Sequence, residues 1–171
     1  MHFIRHGQST FNAAESMGDP QIPDAPLTAR GLEQARQAGE KLKGKGVTRL
    51  IVSPYTRALQ TATAIAEVIG ASLHVEPLAG ERCLYSCDIG TPLSRLRKDW
   101  AHLDFAHLPR EKWWPEFGES HEALTARVQA FGEKWNAHLA QGDHALVSHW
   151  YFLNALTGHD FENGEVLTRK N

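Results

Sequence analysis

Phe3-Ile4-Arg5-His6-Gly7-Gln8-Ser9-Thr10-Phe11-Asn12 opens the chain. Phe3 and Ile4 read as the end of a short apolar strand. Arg5 and His6 then sit on a turn that glycine makes easy. An imidazole beside a guanidinium at a strand end can bind a phosphoryl group or attack one. The same tripeptide also serves as a surface Arg-His pair at a turn. The rest of the chain decides between these readings, because it brings Arg57 and His149 to similar strand ends.

Working outward, residues 13–25 are rich in Gly, Asp and Pro and read as a loop. Thr28 is placed to cap a helix in which Leu32, Ala35, Gly39 and Leu42 recur at helical spacing, and Gly44 and Gly46 close it. Leu50-Ile51-Val52 is an apolar run of the kind a buried parallel strand uses. Ser53 is expected to cap a second helix with Pro54 at its first position. Ala58, Leu59, Ala62, Ile65, Ala66 and Ile69 form the buried stripe of that helix. Leu73-His74-Val75 is a third strand candidate. A non-periodic stretch follows, holding Trp100, Trp113 and Trp114, with a short helix near residues 92–100. Ser120 caps a long helix marked by Leu124, Val128, Phe131, Trp135 and Leu139 and ended by Gly142. Ala145-Leu146-Val147 is the fourth strand, residues 152–156 begin a last helix that Gly158 stops, and the tail from 161 to 171 adds an edge strand.

Strands alternating with helices predict an α/β fold: a three-layer sandwich with a mainly parallel central sheet and helices on both faces. In such a sheet, residues just past the strand ends gather along one edge. His6, the Ser53–Arg57 turn, Glu81 and His149 all follow strands or strand candidates.

Composition narrows the partners. The 171 residues suit one domain with a sizeable core, and 42% apolar with 22% charged residues is ordinary for a globular chain. A net charge of −2 favours neither nucleic acid nor an anionic membrane. No apolar run reaches the length of a membrane span, and the motif follows Met1 too closely for a signal peptide, so a cytoplasmic location is expected. Cys83 and Cys87 fit a metal half-site, a redox pair or two ordinary thiols. Without further ligands at matching spacing, free reduced thiols are expected.

Arg5-His6-Gly7-Gln8-Ser9-x-x-Asn12 resembles the signature of the histidine phosphatase superfamily, the phosphoglycerate mutase-like proteins. The resemblance continues, in family order, through Pro26-Leu27-Thr28-x-x-Gly31-x-x-Gln34-Ala35, Ser53-Pro54-x-x-Arg57-Ala58-x-Gln60-Thr61-Ala62 and Val147-Ser148-His149. It implies a phosphoglycerate mutase-like fold and a phosphatase that needs no cofactor or metal. His6 would become phosphorylated, and His149 would help to bind the phosphoryl group. The family's acid lies shortly after the third strand, which makes Glu81 the candidate proton donor. Two departures stand out: Trp150 and Tyr151 follow the second histidine where many members carry glycines, and the chain is shorter than typical mutases.

Each assignment has an ordinary competitor. Arg57, in the first turn of its helix, points back to the sheet edge and joins Arg5 as a forked donor to phosphoryl oxygens; it could equally be a surface arginine. Asn12 is a neutral donor or a turn residue. His149 is a phosphoryl ligand or a core histidine, with the Ser148 hydroxyl assisting and the Trp150 ring narrowing the pocket. Glu81 is the acid or the partner of Arg82 in a surface ion pair. Glu119 is a reserve acid or a charge favourable beside a helix N-terminus. The excursion 82–118 is expected to form a cap whose Arg95, Arg97, Arg110 and Lys112 select the leaving group; alternatively its tryptophans only pack it onto the sheet. The expected ligand is a phosphorylated small molecule or inorganic phosphate. Rival functions are a phosphoglycerate mutase, a phosphohistidine protein phosphatase, a non-catalytic phosphate-binding module, and a metal hydrolase built on His6, His144 and His149.

Overall fold

The computed structural model describes residues 1–14 and 22–169. The expected loop over 13–25 therefore lies partly outside the described residues. Its flanks are the end of a short helix, α1 (Thr10–Ala13), and a turn before Ala25.

Among the described residues, five strands form one sheet. β1 (His2–Arg5), β2 (Arg49–Val52), β3 (Ser72–Val75), β4 (His144–Ser148) and β5 (Val166–Thr168) lie in the order β3-β2-β4-β1-β5. All pairings are parallel except β1 with β5, which is antiparallel and supplies the edge strand expected of the tail.

Alternation along the strands feeds two cores. Ile4, Leu50, Val52, Ala145 and Val147 pack on one face with α2 (Ala29–Leu42) and α3 (Thr56–Ile69). Phe3, Ile51 and Leu146 face the other way, toward α5 (His121–Gln141) and α6 (Trp150–Thr157), meeting Phe131, Trp135, Phe152 and Leu153. Helices on both faces of a mainly parallel sheet are the α/β sandwich the pattern predicts. Thr28 and Ser120 cap α2 and α5 as expected, accepting from the Gly31 and Ala123 amides.

One expectation needs correction. α3 starts at Thr56, not at Pro54, and Ser53 does not cap it. The Ser53 hydroxyl meets His149 Nε2 at 2.7 Å, so the capping falls to Asp24, whose Oδ1 accepts from the Thr56 amide at 2.8 Å. Leu93 and Leu96 of α4 (Leu93–Asp99), with Phe105, Leu108 and Trp113, join the core on the α2/α3 face. Packing on the sheet is what the tryptophans do.

Candidate active site

The parallel register aligns the strand ends. Arg5 pairs with Ser148, and the His6 amide continues the ladder by donating to the Ser148 carbonyl at 3.0 Å. Ser53 donates to Val147 and Glu76 to Val52, at 3.2 and 2.7 Å, so four strands end along one line. The turn after β1 is locked from both sides. A Cβ on Gly7 would lie 2.2 Å from the Gly31 carbonyl oxygen, so only glycine lets the α2 N-terminus approach. The Gly7 amide donates to Thr61 Oγ1 on α3 at 3.1 Å, and the Gln8 amide to Gln34 Oε1 on α2 at 2.8 Å.

A cavity of about 200 Å³ opens at this edge. Arg5, His6, Asn12, Arg57, Glu81 and Trp150 of the expected set line it. His6 is buried, and its Nδ1 lies 2.7 Å from the Gly7 carbonyl. A carbonyl only accepts, so Nδ1 carries the proton and Nε2 keeps its lone pair. Burial, reinforced by Arg57 and Arg5, holds the His6 pKa well below the ordinary imidazole value. The ring is therefore neutral and oriented near neutral pH.

His149 is fully buried, its ring 5.1 Å from that of His6. Nε2 meets Ser53 Oγ, and among the described residues the buried Nδ1 has no partner. Burial and then Arg57 push its pKa well down too. Ser148 differs from expectation: its hydroxyl donates to the Ala79 carbonyl at 2.7 Å, so it braces the backbone before Glu81 rather than reaching a ligand.

Arg57 is buried, donating to the Cys87 carbonyl at 2.9 Å and to Asp88 Oδ1 at 3.0 Å. Burial works against its charge, and Asp88, joined by Cys87, Asp24 and Tyr55, more than offsets that, holding the pKa above the ordinary value. Arg5 donates to the Phe161 carbonyl at 2.6 Å. Asn12 Oδ1 accepts from the Ser9 amide and from Asn163 Nδ2.

Glu81 forms no ion pair with Arg82. Its carboxylate accepts from the Arg82 amide at 2.8 Å and from the Tyr151 and Phe152 amides, both at 3.3 Å, at the start of α6. Those donors favour the anion. Burial, aided by the nearby Asp88 charge, outweighs them and raises the pKa to about 7. Glu119, the reserve acid, pairs instead with Arg127 at 2.8 Å. Arg127 also donates to the Leu78, Gly80 and Glu81 carbonyls, so that pair fixes the backbone leading to Glu81.

Sequence reasoning missed Asp88, Tyr85 and Phe11, all of which line the cavity. Asp88 sits in an irregular stretch, where no periodicity marks it. Cys83 and Cys87 are free, buried thiols, with pKa values pushed up to about 11 and about 12 by burial and Asp88. Among the described residues no three His, Cys, Asp or Glu side chains converge as a metal site. His144 begins β4, opposite His149, and pairs with Asp143 at 2.6 Å.

Arg95, Arg97, Arg110 and Lys112 do not line the cavity. Arg95 pairs with Asp99 and Lys112 with Glu116 on the surface, and Arg97 is exposed. No helix among the described residues is long and apolar enough to cross a membrane.

Comparison with known proteins gives the geometry a lineage. A "Probable phosphoglycerate mutase GpmB" from Proteus mirabilis is 32% identical over 162 residues, covering 91% of this chain and 72% of that protein. The protein of the same name from Enterobacter sp. (strain 638) is 31% identical over 141 residues, covering 76% of this chain and 60% of its own length. This chain therefore spans roughly two thirds of such relatives. Among solved structures, a mycobacterial glucosyl-3-phosphoglycerate phosphatase in complex with VO3 superposes with a TM-score of 0.67 at 20% identity, covering 97% of this chain and 88% of that one. At that identity the likeness speaks for the fold. The family model described as histidine phosphatase superfamily (branch 1) matches residues 1–165, and the chain belongs to that superfamily.

Proposed function

We propose that this chain is a phosphomonoesterase working through a phosphohistidine on His6. One observation carries the reading: a neutral, oriented imidazole and a buried carboxyl with a pKa of about 7 line one cavity with two guanidinium groups. His6 Nε2 attacks phosphorus in line with the ester oxygen. A P–N bond forms as the P–O bond breaks, and the Glu81 carboxyl protonates the departing alkoxide. Arg5, Arg57, the Asn12 amide and His149 stabilise the equatorial oxygens. The Glu81 carboxylate then takes a proton from water, whose oxygen attacks phosphorus. The P–N bond breaks, inorganic phosphate leaves, and His6 is neutral again.

In this reading residues 1–171 work as one unit. The opening turn of the excursion, through Tyr85 and Asp88, walls the site with Trp150, and the distal part serves the core. A mutase would share the first half-reaction and pass the phosphoryl group to a second hydroxyl, which the names of the relatives keep in view. A His6→Ala protein should lose phenyl phosphate hydrolysis by at least about 10³-fold, and an acid-free quench of the parent should trap labelled phosphate on His6. Near-normal activity in His6→Ala would remove the nucleophile. Isomerisation of phosphoglycerates without free phosphate would replace hydrolysis by transfer.

A further inference from the structure

The walls of the cavity above the phosphoryl clamp are aromatic. Phe11 of α1 lies 5.6 Å from the Tyr85 ring. Beyond the effect of burial, Tyr85 helps raise the pKa of the neighbouring Tyr151, and Tyr151 lies edge-on to Trp150 at 4.7 Å. All four line the cavity, forming a connected arc from three separate parts of the chain. Trp150 is held from behind, its Nε1 donating to Asp160 at 2.5 Å.

Among the described residues, the charges in the cavity leave no cation for a second anionic group. Its guanidiniums are Arg5 and Arg57, and the latter is already paired with Asp88. His6 and His149 are held neutral. Glu81 adds a second carboxyl. A phosphoryl dianion uses up the remaining positive charge, and a further carboxylate would face Asp88 without a cationic partner. Arg82 does not line the cavity: its Nε donates to the Glu119 carbonyl and its guanidinium lies 5.6 Å over the Tyr151 ring.

From this arc and this charge balance we infer that the site selects phosphate monoesters of uncharged aromatic alcohols and discriminates against esters that carry a carboxylate, phosphoglycerates among them. Aromatic faces stack on a planar leaving group and bury it. Asp88 provides the repulsive half of the selection. The inference rests on the proposed phosphomonoester site, but binding tests it separately from turnover.

Phenylphosphonate, 3-phosphonopropionate and inorganic phosphate, none of which can be turned over, are titrated calorimetrically against the whole chain. Phenylphosphonate is expected to bind at least about tenfold more tightly than either of the others. Tyr85→Ala and Phe11→Ala should each remove several-fold of that advantage while moving inorganic phosphate affinity less than about twofold. Catalysis is read alongside: kcat/KM for phenyl phosphate should exceed that for 4-carboxyphenyl phosphate by at least about tenfold. Equal or tighter binding of 3-phosphonopropionate overturns the inference, as does an advantage that survives both substitutions. Tight phenylphosphonate binding without hydrolysis of any ester would sink the proposed chemistry and leave the selectivity standing.

Discussion

His6 and Tyr85 face the same cavity, yet the chain delivers them by different rules. His6 extends a β-ladder, and its turn is clamped by Gly31, Thr61 and Gln34 from two helices. Tyr85 lies in the opening turn of an excursion with no ladder, held in place by the Asp88 carboxylate, which accepts from the Leu84 and Tyr85 amides. Beyond that turn the excursion leaves the site, and Trp113 packs edge-on to Tyr55 at 4.9 Å. Backbone geometry thus places the phosphoryl chemistry, while side-chain packing places the wall that meets the leaving group. Substitutions in the two regions should fail in different ways.

The largest combined effect is expected at the strand end. In Gly7→Ala the new Cβ would sit 2.2 Å from a backbone oxygen, which neither the turn nor α2 can yield cheaply. Overpacking of this kind costs about 3 kcal/mol, and an ångström-scale shift of His6 should lower kcat/KM by about 10²-fold. A Gly7→Ala protein with parental Tm and kcat/KM would show that the turn is not fixed by this close approach.

Next comes the excursion. Trp113 is buried, and its Nε1 donates to the Thr91 carbonyl at 2.8 Å. Trp113→Ala should destabilise by about 3–5 kcal/mol in urea unfolding. The surviving folded protein should keep its affinity for inorganic phosphate, because Trp113 touches the core and not the clamp. A stable variant with altered phosphate binding would make the excursion a lid rather than part of the core.

Glu81 joins the two regions and gives a smaller effect of defined sign. Its carboxyl titrates near 4.5 when unfolded and about 7 when buried here, so the fold binds the proton more tightly than the unfolded chain does. Stability from this group is fully present below 4.5, falls by roughly 3 kcal/mol as pH rises to about 7, and is level above that. His6 and His149 act in the opposite sense: their lowered pKa values cost stability as pH drops below the ordinary imidazole value. The difference between parent and Glu81→Gln isolates the carboxyl. Unfolding at pH 5 and pH 8 should show the Gln variant gaining relative to the parent at the higher pH. A difference that does not change with pH would mean Glu81 is not strained by burial.

How much of this was legible follows from the same contrast. Strand ends, helix stripes and the residues that follow them obey short periods, so the sheet, its parallel sense and the positions of His6, Arg57 and His149 could be read from spacing. Gln34, Gln60 and Thr61 belonged to recognisable motifs, and the structure gives their physical content: each ties a turn near the site, Gln60 through the Leu27 amide at 2.8 Å. Ser53 misled because a hydroxyl before a proline looks like a cap, whereas a histidine distant in sequence claims it. Asp88 and the aromatic arc were invisible because they depend on an irregular path. A carboxylate seven positions after Glu81 has no local pattern to announce that it will meet Arg57.

The smallest effect is expected where the sequence suggested a large one. Arg95, Arg97 and Lys112 looked like a cationic cap, but Arg95 is bound to Asp99 and Lys112 to Glu116 on an exposed face, and none of the three lines the cavity. Exposed pairs of this kind are screened by water and salt and contribute little. Alanine at each position should therefore leave Tm and the ranking of phosphate esters unchanged within error, at low and at physiological salt. Low salt is the sharper condition, since any long-range pull of these charges on an anionic substrate would raise KM in the variants there and vanish as the screening length shortens. A salt-dependent rise in KM, or a changed ranking, would return the distal excursion to the site and erase the division between the two regions.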